Sequence, residues 1–368
     1  MIVRELSVDG FRNLHPTVWT PGEGVNILYG DNAQGKTNLL EACWLFTGAR
    51  SFRGAKDSEM VGFGKDGARL NMQFYAGKRE QEATVTIRQR RQVTLNGITL
   101  PSANKLAGVF CGVVFSPAHL SLIKDGPDGR RRFVDGAYCQ LKPGYIATLT
   151  DYHKTLAQRN ALLRQARESS ASMNGVEEML QLWDNSLAVA GARITRAREH
   201  YIRRLEPLAA AVYAGLSGDR ERLTLRWDSP AAVEGGTPAD VAHKWLELLR
   251  QSRRADTAAG FTTVGAHRED LCIEIDGLSV KTFGSQGQQR SAVLALKLAE
   301  ASLLQEVTDE PPVAFLDDVM SELDTSRQDY ILNHIDGWQV FITCCEPSAA
   351  LQNTAAKVFN VKQGVISE

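Results

Sequence analysis

The run Gly30-Asp31-Asn32-Ala33-Gln34-Gly35-Lys36-Thr37 constrains this chain more than any other feature. It fits the phosphate-loop pattern GxxxxGK[ST]. Its surroundings fit too. Val25-Asn26-Ile27-Leu28-Tyr29 reads as a buried strand before it, and Asn38-Leu39-Leu40-Glu41-Ala42 opens a helix after it. The glycines let backbone N–H groups turn inward around phosphate oxygens, and the helix aims the positive end of its dipole at the same point. Lys36 reaches the β- and γ-phosphates, and the Thr37 hydroxyl can coordinate Mg²⁺. Gly30 through Thr37 are therefore the expected ATP-binding residues.

A phosphate loop alone does not choose among nucleotide hydrolases; the spacing of a second acidic site does. The apolar run Val313-Ala314-Phe315-Leu316 ends in Asp317-Asp318, about 280 residues after Lys36. A strand ending in Asp projects its carboxylate at the C-terminal sheet edge, where Mg²⁺ sits, so Asp317 is the expected metal-side carboxylate and Asp318 the group that polarises attacking water. Taken alone, the pair could also cap a loop. The third element is Ser285-Gln286-Gly287-Gln288, at the start of a long amphipathic helix and about thirty residues before Asp317. It resembles the signature of ABC ATPases and is a second anion-binding helix end. Ser321-Glu322-Leu323-Asp324 follows and resembles the ABC D-loop, with Ser321 and Asp324 its polar members. Together these predict an α/β fold: an ABC-type ATPase head with a mixed sheet core, a small antiparallel sheet and an inserted helical arm domain.

The pattern along the chain places that insertion. Leu70, Met72 and Phe74, then Val85, Ile87 and Val93, alternate as strands do, with Asn96-Gly97 as a hairpin signal. From about Ala118 the period turns helical: Tyr145, Leu149, Tyr152 and Leu156 form one stripe, and Met179, Leu182, Trp183, Ser186 and Leu187 another. Strands return at Leu271–Ile275, Val313–Leu316 and Val340–Thr343. The expected division is 1–117 for the first part of the head, 118–255 for the arm and 256–368 for the second part.

Charge bears on partners. The formal net charge is -1, which argues against a protein that coats nucleic acid throughout. Between Arg130 and Glu168, however, eight Lys and Arg stand against three acids, and Arg130-Arg131-Arg132 is the densest cluster. That patch is the expected DNA contact, with a solvated face as the plain alternative. The six cysteines form no CxxC pair and fit no zinc site. The start Met1-Ile2-Val3-Arg4-Glu5 lacks the shape of a signal peptide, and no apolar run approaches the roughly 20 residues that span a bilayer. The expected compartment is a reducing cytoplasm, with no membrane partner.

The motifs narrow further. Phe11-Arg12-Asn13-Leu14, Ser51-Phe52-Arg53, Val114-Phe115-Ser116-Pro117, Arg131-Arg132-Phe133-Val134-Asp135, Gln158-Arg159-Asn160 and Gly265-Ala266-His267-Arg268-Glu269-Asp270-Leu271 resemble the RecF family of bacterial recombination and repair ATPases, related to SMC heads. The likeness spans nearly the whole chain. Ala118, His119 and Ala266 depart from the family pattern, as do Cys344 and Cys345 in the switch segment. The resemblance implies ATP and Mg²⁺ as cofactors, Arg12 and Asn13 at the nucleotide edge, and a signature that completes the partner's ATP site. It also implies a homodimer that ATP closes on DNA at single-strand gaps, with RecR and RecO as partners and RecA loading as the outcome. A scaffold with incidental DNA contact, and the separate ATPase subunit of a transporter, are the alternatives. His267 reads as a structural hydrogen-bonding residue.

Overall fold

The computed structural model describes residues 1–168, 173–346 and 355–368. It divides into two compact units, one of Met1–Ser121, Leu208–Arg222 and Ser285–Glu368, the other of Leu122–Pro207 and Leu223–Gly284.

The first unit begins with β1 (Ile2–Asp9), β2 (Thr17–Trp19), β3 (Val25–Tyr29) and helix α1 (Lys36–Trp44). Then come β4 (Ala68–Ala76), β5 (Arg79–Ile87), β6 (Arg91–Leu95), β7 (Ile98–Leu100) and β8 (Gly112–Phe115). Strands β2-β1-β4-β5-β6-β7 make an antiparallel sheet. Along β4 burial alternates strictly, the period-two pattern of a sheet with one covered face. Asn96 and Gly97 both take positive φ, 49° and 80°, between Leu95 and its partner Ile98. That is the primed turn whose twist suits a two-residue hairpin, and Asn-Gly tolerates it best.

The second unit is the arm: α2 (Ser121–Lys124), α3 (Pro127–Leu141), α4 (Tyr145–Glu168), α5 (Met173–Ser217), β9 (Leu223–Asp228), α6 (Pro238–Ala259), β10 (Asp270–Ile275), β11 (Leu278–Ser279) and α7 (Val280–Phe283). The last turns of α5 belong to the first unit. Tyr145, Tyr152, Leu187, Ala192, Trp245 and Leu249 share the arm's core. Thr237 caps α6, accepting from Asp240 N while the Asp240 carboxylate accepts from Thr237 N at 2.7 Å. Gly260 ends the helix in the left-handed region.

The arm's extent corrects the expected boundary at 256. Strand β10 pairs with β9 from Asp270↔Asp228 to Ile275↔Leu223, so the stretch to Gly284 closes the arm's own three-stranded sheet. The isolated period of Leu271–Ile275 could not say which strand it would join.

The chain then completes the first unit with α8 (Gln286–Thr308), β12 (Val313–Asp317), α9 (Thr325–His334), β13 (Val340–Cys344), β14 (Lys357–Lys362) and β15 (Val365–Ser367). The second sheet runs β15-β14-β3-β13-β12-β8, with every neighbour from β14 to β8 parallel. Strands β8, β12 and β13 are buried at every residue, as parallel strands covered on both faces are. Phe315 and Phe341 stack at 5.6 Å between ring centroids, and Trp19 tilts onto Phe341 at 5.2 Å. Helix α8 is buried at every residue from Ser291 to Ala301, so it is a core helix rather than an amphipathic one. Among the described residues no helix is long and apolar enough to cross a membrane.

Candidate nucleotide site

Parallel strands bring their C-terminal ends to one edge, and the site is built there. The phosphate loop leaves β3, Asp317 ends β12, and Thr343 lies on β13 between them, in register with Asp317 on one side and Leu28 on the other. Residues 280 positions apart in sequence thereby meet: the Thr37 hydroxyl donates to Asp317 Oδ1 at 2.7 Å, and the Thr343 hydroxyl lies 2.9 Å from the same oxygen. Asp318 follows with φ of 53°, and its N–H donates to Thr343 Oγ1 at 2.9 Å. Asp317 is buried and Asp318 half-buried. Burial is the main force lifting the Asp317 carboxyl above its ordinary range. The Thr37 and Thr343 hydrogen bonds oppose that lift, and the charge of Asp318 adds to it.

The loop itself needs its glycines. Gly30 has φ of 147°, and a Cβ there would stand 2.3 Å from the Val361 carbonyl oxygen. Gly35, with φ of 118°, caps α1 against Leu14 and Asn13. Ala33 takes the left-handed φ of 65° between them. Lys36 is buried, its Nζ donating to the Gly30 and Asp31 carbonyls at 2.5 and 2.9 Å. Neighbouring segments brace the rest. Asn13 Nδ2 donates to the Ala33 carbonyl at 3.1 Å, Gln363 N donates to Gln34 Oε1 at 2.6 Å, and the Cys345 thiol meets Asn32 Oδ1 at 3.3 Å.

Arg12, expected at the nucleotide edge, is tied to a carboxylate in this structure. Its Nε and NH2 grip Glu41 Oε2 at 2.9 and 2.8 Å, and NH1 donates to the Glu59 carbonyl at 3.0 Å. Glu41 is fully buried and also accepts from Ser51. Arg12 therefore neutralises a carboxylate under α1. Two residues to which the sequence assigned no role stand at the site. Thr343 shares Asp317, and Arg53, hydrogen-bonded to Asn38 Oδ1 at 2.9 Å, acts on the Asp317 charge. Their signal was present only as the motif Ser51-Phe52-Arg53 and as a strand ending in threonine.

The signature turn is a separate construction. Ser285 caps α8: its hydroxyl accepts from Gln288 N at 3.2 Å, and Gln288 Oε1 accepts from Ser285 N at 2.7 Å. Gln288 Nε2 donates to Glu221, which the Tyr213 hydroxyl holds from the other side at 2.6 Å. Gln286 and Gly287 occupy the first turn, where N–H groups have no intrahelical partner. Ser321 donates to the Asp318 carbonyl at 2.9 Å, and Asp324 caps α9 by accepting from Arg327 N at 3.0 Å.

The arginine triplet does not form the expected open patch. Arg130 is 6% exposed and makes a two-pronged pair with Asp270, 2.7 Å on each side, while NH1 donates to the Leu122 and Asp125 carbonyls. Arg131 donates to the Glu269 carbonyl at 2.6 Å and pairs with Asp128. Both are structural ties within the arm; Arg132 alone of the three is exposed. His267 fits its structural reading. Its Nε2 faces the Thr262 carbonyl at 3.2 Å, so that nitrogen carries the proton and Nδ1 accepts from the Tyr152 hydroxyl at 2.8 Å. Burial pushes its pKa down to about 4.

A phosphate loop, a strand-end carboxylate pair and a capped signature helix on one head describe an ABC ATPase. The RecF/RecN/SMC N terminal domain pattern matches residues 2–367. The DNA replication and repair protein RecF of Agathobacter rectalis is 36% identical over 370 residues, covering 100% of this chain and 99% of the relative. The chain belongs to the RecF family. RecF of Ruminiclostridium cellulolyticum is 38% identical over 350 residues, covering 94% of this chain and 92% of its own. The solved RecF-ATPrS, a recombination mediator protein of the RecFOR pathway, superposes with a TM-score of 0.92 at 36% identity, covering 99% of this chain and 97% of that one. The Smc head of Pyrococcus furiosus bound to ScpA shares the fold, with a TM-score of 0.55 at 14% identity over 100% of this chain and 95% of that one. The ABC-type head of RecF and SMC proteins is thus the fold of this chain.

Proposed function

We propose that this RecF-family chain is an ATP-gated clamp of DNA replication and recombinational repair, a homodimer that ATP closes on DNA at single-strand gaps and that slow hydrolysis reopens. The observation that carries the reading is a division within one protomer. The phosphate loop has a hydroxyl and a carboxylate beside it, Thr37 and Asp317. The signature turn opens on a pocket whose lining includes none of residues 30–37. Each chain offers half of a phosphate site at α1 and half at α8, and a two-fold axis would join halves from different chains. The solved relatives with ATP and ATPrS, both of the RecFOR pathway, support ATP as the nucleotide and RecR and RecO as partners; RecA loading is the outcome this reading expects.

Within that site Lys36 holds the β- and γ-phosphates. Mg²⁺ fits the donor set: Thr37 and Asp317 offer hard oxygens, and among the described residues no group of three or more His, Cys, Asp or Glu converges. Such a set suits an ion that keeps water and phosphate oxygens as its other ligands. When bound, it would neutralise charge on the transferring phosphoryl group. Asp318, its backbone fixed by Thr343, orients the attacking water. Ser285 and Gly287 close over the partner's nucleotide, and Ser321 and Asp324 border the same interface.

Light scattering in ATP and Mg²⁺ tests the reading. Wild type should double its mass, Asp318→Asn should remain a long-lived dimer, and Ser285→Arg should bind ATP yet stay monomeric. DNA binding should require ATP in wild type and be absent in Ser285→Arg. Equal DNA binding with and without nucleotide would favour a scaffold and end the clamp reading.

A further inference from the structure

The signature turn opens on a pocket of about 380 Å³ lined by Ser217, Arg220, Ser285, Gly287, Gln288 and Arg327, among others. Arg327 stands on the first turn of α9, three residues after Asp324. Its Nε donates to Ser291 Oγ at 3.2 Å, and NH1 is tied to Asp324. Its NH2 lies 3.9 Å from where a Cβ on Gly287 would be, and the Ser285 hydroxyl lies 3.9 Å from the same point. An oxyanion resting on the Ser285 hydroxyl and the Gly287 N–H would therefore fall within reach of this guanidinium.

The signature by itself offers only neutral donors, one hydroxyl and the N–H groups of a helix end. Phosphoryl transfer gathers negative charge on the equatorial oxygens, and a cation placed there lowers the barrier. The signature's own arginine, Arg290, is not so placed: it lines another pocket with His119 and Lys297. We infer that Arg327 is a catalytic residue acting in trans, its guanidinium contacting the γ-phosphate of the ATP bound by the partner protomer. Asp324 holds the side chain in the isolated protomer, and the incoming triphosphate takes over that tie with its greater charge. The inference rests on the clamp reading, because only a signature facing another chain's nucleotide brings Arg327 to phosphate.

Complementation separates trans from cis. Arg327→Ala alone should bind ATP as wild type does, which also reports that it is folded, and its hydrolysis should fall about a thousandfold. Arg327→Lys keeps the charge without the fork and should recover part of the rate. Asp318→Asn binds ATP and closes but does not hydrolyse. In an equal mixture of Arg327→Ala and Asp318→Asn, each mixed dimer holds one complete site: Asp318 from one chain, Arg327 from the other. Hydrolysis should then return to roughly a quarter of the wild-type rate, since half the pairs are mixed and each has one working site. A mixture as inactive as its components, or an Arg327→Ala protein that hydrolyses ATP at the wild-type rate, overturns the inference alone. A wild type that binds ATP without dimerising overturns the clamp reading and this inference with it.

Discussion

If Mg²⁺ binds at Asp317 as proposed, a proton and the ion compete there for one oxygen. Burial, reinforced by the charge of Asp318, lifts the Asp317 carboxyl above the ordinary range, against the pull of the Thr37 and Thr343 hydroxyls. A raised pKa means that the folded chain holds this proton more tightly than the unfolded chain does. The group therefore favours the fold on the acid side, and that contribution is lost as pH rises through the raised pKa. Mg²⁺ reverses the preference, since it needs the carboxylate. The Mg²⁺ requirement of ATP binding should therefore steepen as pH falls through that raised pKa, before an exposed Asp would protonate. Asp317→Asn should remove the pH dependence along with most of the Mg²⁺ enhancement; titrating nucleotide at several Mg²⁺ concentrations and pH values measures both. The acidic pair was legible because the Ser285–Gln288 signature and the Ser321–Asp324 segment flank it; alone it could also have capped a loop. Thr343 and Arg53 were not legible, because what matters in them is register and reach, and the motif around Arg53 and the strand holding Thr343 assign neither a role. Arg130 shows the converse. Three consecutive arginines read as surface charge, yet the carboxylate of Asp270, 140 residues away, makes the first of them a buried tie.

Among elements, the arm's helices are joined by charge as well as by apolar packing. Arg159 on α4 is fully buried, with Nε on Asp184 of α5 at 2.8 Å and NH1 on Asp256 of α6 at 2.7 Å and on Thr262 at 2.8 Å. Arg253 holds the other Asp184 oxygen at 2.9 Å. Removing Arg159 leaves the buried Asp256 carboxylate without a cation and Asp184 with Arg253 alone, so Arg159→Ala should destabilise the protein by about 3–5 kcal/mol. The denaturant midpoint of the arm's unfolding reads the loss, and Arg159→Lys should recover little of it because the fork to two carboxylates is gone. The stripes that marked these helices in the sequence were partly misread. Tyr145 and Tyr152 face the core as their spacing implies. Of the α5 stripe, Leu187 is buried and Trp183 packs partly buried, but Met179 and Leu182 are 49% and 68% exposed, and Leu180, Asp184 and Ala188 complete the buried face. An apolar residue at helical spacing marks a face only if the other faces are polar, and α5 is apolar on more than one. Strand β9 leaves little signal in the sequence because it has only six residues and pairs with a strand more than forty positions away.

For the whole molecule, the question is where a chain of net charge -1 could hold a polyanion. Internal ties use Arg130, Arg159 and Arg198, the last held by Asp135 and Glu269 and 4% exposed. Among the cations that face water in the arm are Arg132, Lys142, Lys154, Arg164, Arg193 and Arg203. Arg193, Arg196, His200 and Arg203 recur every three or four residues along α5, which places them on one side of that helix. The charges of Arg203, Arg204, Lys142 and Arg196 all act on His200, so Lys142 joins the same patch. Phosphate contacts release counterions, and each one removed should flatten the dependence of log affinity on log salt by about 0.9. If the ATP-bound dimer grips DNA through this side of the arm, Lys142→Ala, Arg193→Ala and Arg203→Ala together should weaken binding for every sequence alike. They should also flatten the salt slope by about three units per set of contacts and leave ATP binding untouched. Arg130→Ala should do the opposite, lowering the stability of the arm while the slope of the folded protein stays as it was. A triple variant with the wild-type slope would move the DNA contact off the arm, and a flattened slope in Arg130→Ala would mean that its tie to Asp270 opens when DNA binds.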